Sequence, residues 1–187
     1  PVAARKARGL LRAGARVWAV SPRFDASFPV RVRKLRRPYR ASDVAGRFLV
    51  VAATDDPELN RAACQDARAA GALANVADDP RACDILIPAI LRRGKLTLAV
   101  GTSGASPALS RRIRRELSEI YDASYGPYVD LLEALRSLVL RELGTPSRRR
   151  AVLTRLASAE FAKIFREEGR AAARHAMLRV IREAVNG

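Results

Sequence analysis

Residues 75–107 constrain this chain more than any other stretch. Asn-Val-Ala-Asp-Asp-Pro is followed by the apolar Ile-Leu-Ile-Pro-Ala-Ile, and a second apolar run closes on Ala-Val-Gly-Thr-Ser-Gly-Ala-Ser-Pro. Two apolar runs of strand length, one with a carboxylate beside it and one with a Gly/Ser/Thr turn that opens a helix, are what a cleft at a sheet edge needs. Asp78 and the turn 101–107 are therefore the expected working parts.

The flanking sequence sets these parts in an α/β frame. Residues 2–13 read as an Ala-rich helix ended by Gly14, and 16–20 as a strand stopped by Ser21-Pro22. Helix, glycine and strand make the second half of a βαβ unit, so a first strand and turn are expected upstream of Pro1. Residues 30–35 alternate apolar and basic side chains as a half-exposed strand does, and 41–46 read as a short helical turn. A buried strand follows over 48–53. Asp56 and Pro57 then open a helix that runs to about Gly71, and 73–76 is the next strand. Strands alternating with helices across short turns indicate a parallel, doubly wound, Rossmann-like sheet. Beyond Pro88 the pattern changes: 96–100 is a strand, Ser106 caps a helix to Tyr121, and the rest is helical over 125–143, 147–158 and 159–185. Val129, Leu132, Leu135, Val139 and Leu143 form an apolar stripe that the same chain or a partner subunit has to cover, and a homodimer is expected.

Charge narrows the partners. The 187 residues carry 35 basic and 19 acidic side chains, a net charge of +16, and only Lys6, Lys34, Lys95 and Lys163 among the basic ones are lysine. Such a surface attracts polyanions, whether nucleic acid, anionic lipid or a many-carboxylate metabolite; an Arg-rich solvated surface is the plainer alternative. The Arg-rich helices lack interleaved aromatics, which argues against nucleic acid. No apolar run approaches the roughly 18–20 residues of a membrane span, and no secretory leader is seen. Cys64 and Cys83 are expected as reduced thiols in a cytoplasm. With His175 the single histidine, neither a fixed zinc site nor a Ser/His/Asp set can be assembled.

Several residues are candidates for chemistry. A glycine-rich turn before Val2 would aim the free amides of the first helix at a dinucleotide pyrophosphate; a helix that merely packs on the sheet gives the same pattern. The strand 16–20 ends in Ser21-Pro22-Arg23, with no carboxylate for a ribose. Arg23 can sit near the ribose or a 2′-phosphate, or be solvated, so NAD and NADP both stay open. Thr54 stands at the end of the strand 48–53, where a cofactor edge would lie, while Asp55 and Asp56 suit helix capping. Adjacent residues on extended chain point oppositely, so only one of Asp78 and Asp79 can face a pocket and take a proton there; a turn-forming Asp-Asp-Pro is the alternative. Thr102, Ser103 and Ser106 supply hydroxyls for a carboxylate or phosphate cradle.

Val2-Ala3-Ala4-Arg5-Lys6, Gly14-Ala15-Arg16-Val17, Ala52-Ala53-Thr54-Asp55-Asp56, Asn75-Val76-Ala77-Asp78, Ile87-Pro88-Ala89 and Gly104-Ala105-Ser106-Pro107 together resemble the precorrin-2 dehydrogenase/sirohydrochlorin ferrochelatase family, including the N-terminal module of siroheme synthase. Order and spacing agree from Pro1 to about Glu119, and the helical remainder is similar to that family's dimerisation region. The resemblance implies NAD-dependent oxidation of precorrin-2 to sirohydrochlorin, often followed by Fe²⁺ insertion to give siroheme, with Fe²⁺ a transient co-substrate. It places the family's acid/base on Asp78, a substrate contact on Thr102 beside Ser103, and cofactor contacts on Pro1, Val2, Pro22 and Arg23. The corresponding division is a Rossmann-like NAD-binding domain over 1–88, a central strand–helix segment over 89–120 and a helical dimerisation region over 121–187. A non-catalytic NAD-sensing or nucleic-acid-binding basic module is the alternative reading.

Overall fold

The computed structural model describes residues 2–77 and 79–186; Pro1, Asp78 and Gly187 lie outside the described residues. The chain divides into two units, Pro1–Ile87 and Pro88–Gly187.

The first unit begins with helix α1, Val2–Arg12, whose buried face is Ala4 and Ala7. Gly14 follows at φ 82°, the left-handed conformation that glycine adopts at no steric cost and that lets the chain leave a helix. Strand β1, Trp18–Val20, then runs parallel to β2, Arg33–Leu35. The strand expected over 30–35 is thus confined to its last three residues. Val32 (4% exposed) and Phe28 (8%) turn into a small core against Ala4 and Ala7, and the Val32 amide donates to the Pro29 carbonyl at 3.3 Å, closing a turn where the strand was expected to start. A 3₁₀ turn, Ala41–Val44, leads to β3, Leu49–Ala52. Helix α2, Pro57–Ala69, crosses over to β4, Leu73–Val76, which pairs parallel with β3 from Leu49↔Leu73 to Ala52↔Val76. Parallel neighbours need such a crossover. α2 starts as expected: the Asp56 carboxylate accepts from the amides of Glu58 and Leu59, and Pro57 takes the first helical position, where a missing N–H costs nothing. Its Ala63, Cys64 and Ala67 pack on Ala52, Ala74 and Val76. Among the described residues β1 pairs only with β2 and β3 only with β4.

The second unit opens on an antiparallel hairpin of β5, Ala89–Arg93, and β6, Leu96–Val100. The sequence reading takes 85–90 as an apolar run of strand length; the structure has no strand over 85–88 and places it at 89–93 instead, in a hairpin with Leu91 at 3% exposure. Gly94 makes the turn at φ 55°, and a Cβ there would lie 3.2 Å from the Gly126 Cα, so the two glycines permit a close backbone approach. Helix α3, Pro107–Ile120, ends where Arg93 donates to the carbonyls of Tyr121 (2.9 Å) and Ser118 (3.3 Å). Helices α4 (Tyr125–Glu142), α5 (Pro146–Leu156) and α6 (Ala159–Asn186) pack on one another. The buried stripe on α4 is Tyr128, Leu131, Leu135 and Val139, continuing to Leu143, rather than the one beginning at Val129 and Leu132. Val152, Leu156, Phe161, Phe165, Met177 and Ile181 cover it from the same chain. α6 is two helices joined at a kink: Gly169, at φ 90° and ψ 176°, breaks the segment read as one helix from sequence.

Candidate active site

β4 carries the most constrained polar group in the first unit. Asn75 is 2% exposed on a strand whose neighbours are apolar, and a buried amide is tolerated only when its polar atoms are satisfied. Its Oδ1 accepts from the Lys6 ammonium of α1 at 2.7 Å, and its Nδ2 donates to the Ile85 carbonyl at 2.9 Å. Beyond β4 the chain makes a 3₁₀ turn, Pro80–Ala82, and returns beside the strand. Asp84 seals that return. Its carboxylate accepts from the Ala74 amide at 2.8 Å and from the Arg68 guanidinium at 2.9 Å, while its own amide donates to the Ala74 carbonyl at 2.9 Å. The Ala74 amide first, and Arg68 with it, hold the Asp84 carboxyl below the usual range. Of the two adjacent aspartates, Asp79 is committed: its Oδ1 accepts from the amides of Arg81 (3.1 Å) and Ala82 (3.3 Å), capping the 3₁₀ turn. Asp78, the expected acid/base, lies outside the described residues.

The other strand ends are organised by groups that sequence reading passed over. Thr54, exposed after β3, is held by Asn60 of α2, which is 9% exposed. The Asn60 Oδ1 accepts from the Thr54 amide (3.1 Å) and hydroxyl (2.8 Å), and its Nδ2 donates to the Thr54 carbonyl at 3.0 Å. The Thr54 proton is therefore spent within the turn, and a cofactor contact there falls to its remaining lone pair or methyl group. The signal for Asn60 was its position in register with Ala63, Cys64 and Ala67 on the face that α2 buries. Pro22 and Arg23 are exposed beyond β1, with the Ser21 hydroxyl donating to the Arg23 carbonyl at 2.6 Å. Val2 begins α1, whose first turn has no acidic side chain to occupy its amides, so that end remains suited to a pyrophosphate. Pro1 is outside the described residues. Cys64 and Cys83 are free thiols, and burial pushes the Cys64 thiol up, which makes it an unreactive packing residue.

In the second unit the turn after β6 is shaped by hydroxyls. Thr102 Oγ1 accepts from the Ser106 amide at 3.0 Å and lies 3.3 Å from the hydroxyl of the buried Ser110. Ser106 caps α3 by accepting from the Leu109 amide at 3.2 Å. Ser103 stands at φ 50°, the one non-glycine residue with positive φ among those described, and its side chain is exposed. Thr102 is thus partly spent on helix capping, while Ser103 offers a hydroxyl to solvent. Among the described residues no group of three or more His, Cys, Asp or Glu is placed to hold a metal ion, and no helix is long and apolar enough to cross a membrane.

An NAD(P)-binding family profile matches residues 1–89, and the profile of the sirohaem biosynthesis protein central segment matches residues 93–119. Siroheme synthase of Nitrosomonas eutropha is 35% identical over 169 residues, covering 87% of this chain and 36% of that protein. That of Methylobacillus flagellatus is 32% identical over 185 residues, covering 96% of this chain and 40% of its own length. The chain therefore spans little more than a third of the length of the curated relatives it matches. Among solved structures, SirC, a precorrin-2 dehydrogenase, superposes with a TM-score of 0.76 at 29% identity, covering 98% of this chain and 90% of that one. With a nicotinamide-nucleotide-binding profile followed in order by the sirohaem central profile, the chain is similar to siroheme synthases over about a third of their length and to a precorrin-2 dehydrogenase over nearly its whole length.

Proposed function

We propose that this protein oxidises precorrin-2 to sirohydrochlorin with NAD as the nucleotide, and that Asp78 is its acid/base. The observation that carries this reading is the likeness to a precorrin-2 dehydrogenase along 98% of the chain. When bound, the nicotinamide supplies the hydride acceptor. The residues suited to hold the nucleotide are Val2 at the start of α1, Pro22 and Arg23 after β1, and Thr54 after β3, all beyond the ends where a Rossmann-like unit takes its ligand. Pro1 adjoins that helix in sequence.

Loss of a hydride from the macrocycle leaves a proton to be removed, and one carboxylate near the macrocycle can accept it. Oδ1 of Asp79 accepts from the Arg81 and Ala82 amides and caps the 3₁₀ turn, which favours its neighbour Asp78 as the acid/base of the pair. Thr102 and Ser103 are the proposed substrate contacts. The substrate's many carboxylates suit a chain of net charge +16, in which Arg forks can grip them bidentately. The same carboxylate can take up pyrrole protons if Fe²⁺ is inserted afterwards, the ion being a substrate. Exposed Ile120, Leu140 and Val185 in the helical unit support a homodimer.

The test is Asp78→Asn, assayed with precorrin-2 generated in situ and with NAD⁺ or NADP⁺ in parallel. Loss of NADH and sirohydrochlorin formation by at least a hundredfold is expected, with NAD⁺ the better substrate of the unmodified protein. Turnover within threefold of the unmodified protein overturns the assignment.

A further inference from the structure

The thiol of Cys83 lies where nothing so far has given it a task. It is partly buried, not disulfide-bonded, and surrounded by polar groups from the two sides of a single short turn. The Val76 amide, at the end of β4, donates to its Sγ at 3.1 Å, and the Asn75 Nδ2 approaches the same sulfur at 3.4 Å. The S–H has the Asp79 carbonyl at 3.2 Å and the Val76 carbonyl at 3.3 Å as acceptors. Sulfur is a weak acceptor and a weak donor, but here it meets backbone groups both before and after residue 78. Asn75 extends the network to α1 through Lys6, at 2.7 Å.

We propose that Asn75 and Cys83 are positioning residues for the dehydrogenation: Cys83 clasps the backbone on both sides of residue 78, and Asn75 ties that clasp to the helix that begins the cofactor-binding module. The inference rests on the reading of Asp78 given above. Neither residue need touch substrate. The physical consequence of loosening them is a general base free to wander by fractions of an ångström, which reduces the rate of the chemical step far more than it weakens binding.

Three variants test this. Cys83→Ala is expected to lower kcat at least tenfold while KM for NAD⁺ and for precorrin-2 stays within twofold. Cys83→Ser, which keeps a donor and an acceptor in place of the thiol, should recover kcat to within threefold of the unmodified protein. Asn75→Asp keeps the acceptor for Lys6 but cannot donate to Cys83 or Ile85, and it should lose kcat as Cys83→Ala does. In an Asp78→Asn background, Cys83→Ala should change the residual rate less than twofold, because its effect passes through the missing carboxylate. An unaltered kcat in both Cys83→Ala and Asn75→Asp, or a full effect of Cys83→Ala in the Asp78→Asn background, overturns the proposal. If Asp78→Asn is itself silent, it is the acid/base assignment that falls; if Asp78→Asn is inactive and the clasp variants are not impaired, only the clasp does.

Discussion

Replacing Asn60 by Ala isolates the device that fixes the β3–α2 turn. Three hydrogen bonds join its amide to Thr54, at 2.8, 3.0 and 3.1 Å, and each is worth about 1 kcal/mol net. Alanine is the better helix former by roughly 0.7 kcal/mol, which offsets part of the loss. Thr54 is exposed, so water can replace some of what is removed, leaving a cost of about 2 kcal/mol. Because the chain forms two units, global unfolding can blur the effect, and local hydrogen exchange is the cleaner assay. Amides of residues 53–60 should exchange about thirtyfold faster in Asn60→Ala, since about 1.4 kcal/mol corresponds to tenfold, while α4 is unchanged. Asn60→Asp should be intermediate: it still accepts from the Thr54 amide and hydroxyl but sets an oxygen against the Thr54 carbonyl. Exchange in Asn60→Ala within twofold of the unmodified protein would refute the reasoning and reduce Asn60 to a helix residue with incidental contacts.

Two further perturbations probe the remaining geometry. Gly94→Ala combines a left-handed backbone (φ 55°) with a Cβ only 3.2 Å from the Gly126 Cα, and should destabilise the second unit by about 1–3 kcal/mol in urea titration, with the first unit unaffected. Asp84 has a depressed carboxyl, so its contribution is present above the ordinary aspartate value and is lost as pH falls through the lower folded-state value. Protection of the Ala74 amide should accordingly drop in acid below about pH 4 in the unmodified protein, whereas Asp84→Asn should flatten that dependence.

Much of the frame follows from local chemistry. Gly14 closes α1, Asp56 and Pro57 open α2, and Ser106 and Pro107 open α3, because caps and helix starts depend on groups within a turn of one another. Mainly apolar stretches of strand length marked β3, β4 and β6 within a residue or two, because a strand's side chains are a local property of its sequence. The likeness to siroheme synthases and precorrin-2 dehydrogenase was legible too, since it rests on short motifs in a fixed order. The burial phase of α4 was legible only in its second half, where Leu135, Val139 and Leu143 are buried as the stripe predicts. Whether α4 turns Tyr128 and Leu131 or Val129 and Leu132 inward differs by one residue, and the choice was made by where α5 and α6 lie. The hairpin strand Ala89–Arg93 carries two arginines, of which Arg93 satisfies the carbonyls of Ser118 and Tyr121, partners that its own stretch of sequence does not show. Tertiary structure alone assigned the small polar residues: Asn60 to Thr54, Asn75 to Lys6, Asp84 to Ala74, and Cys83 to the two sides of one turn. A sequence names the donors and acceptors, but a hydrogen bond depends on distance and angle, and for partners up to 69 residues apart only the folded chain sets those.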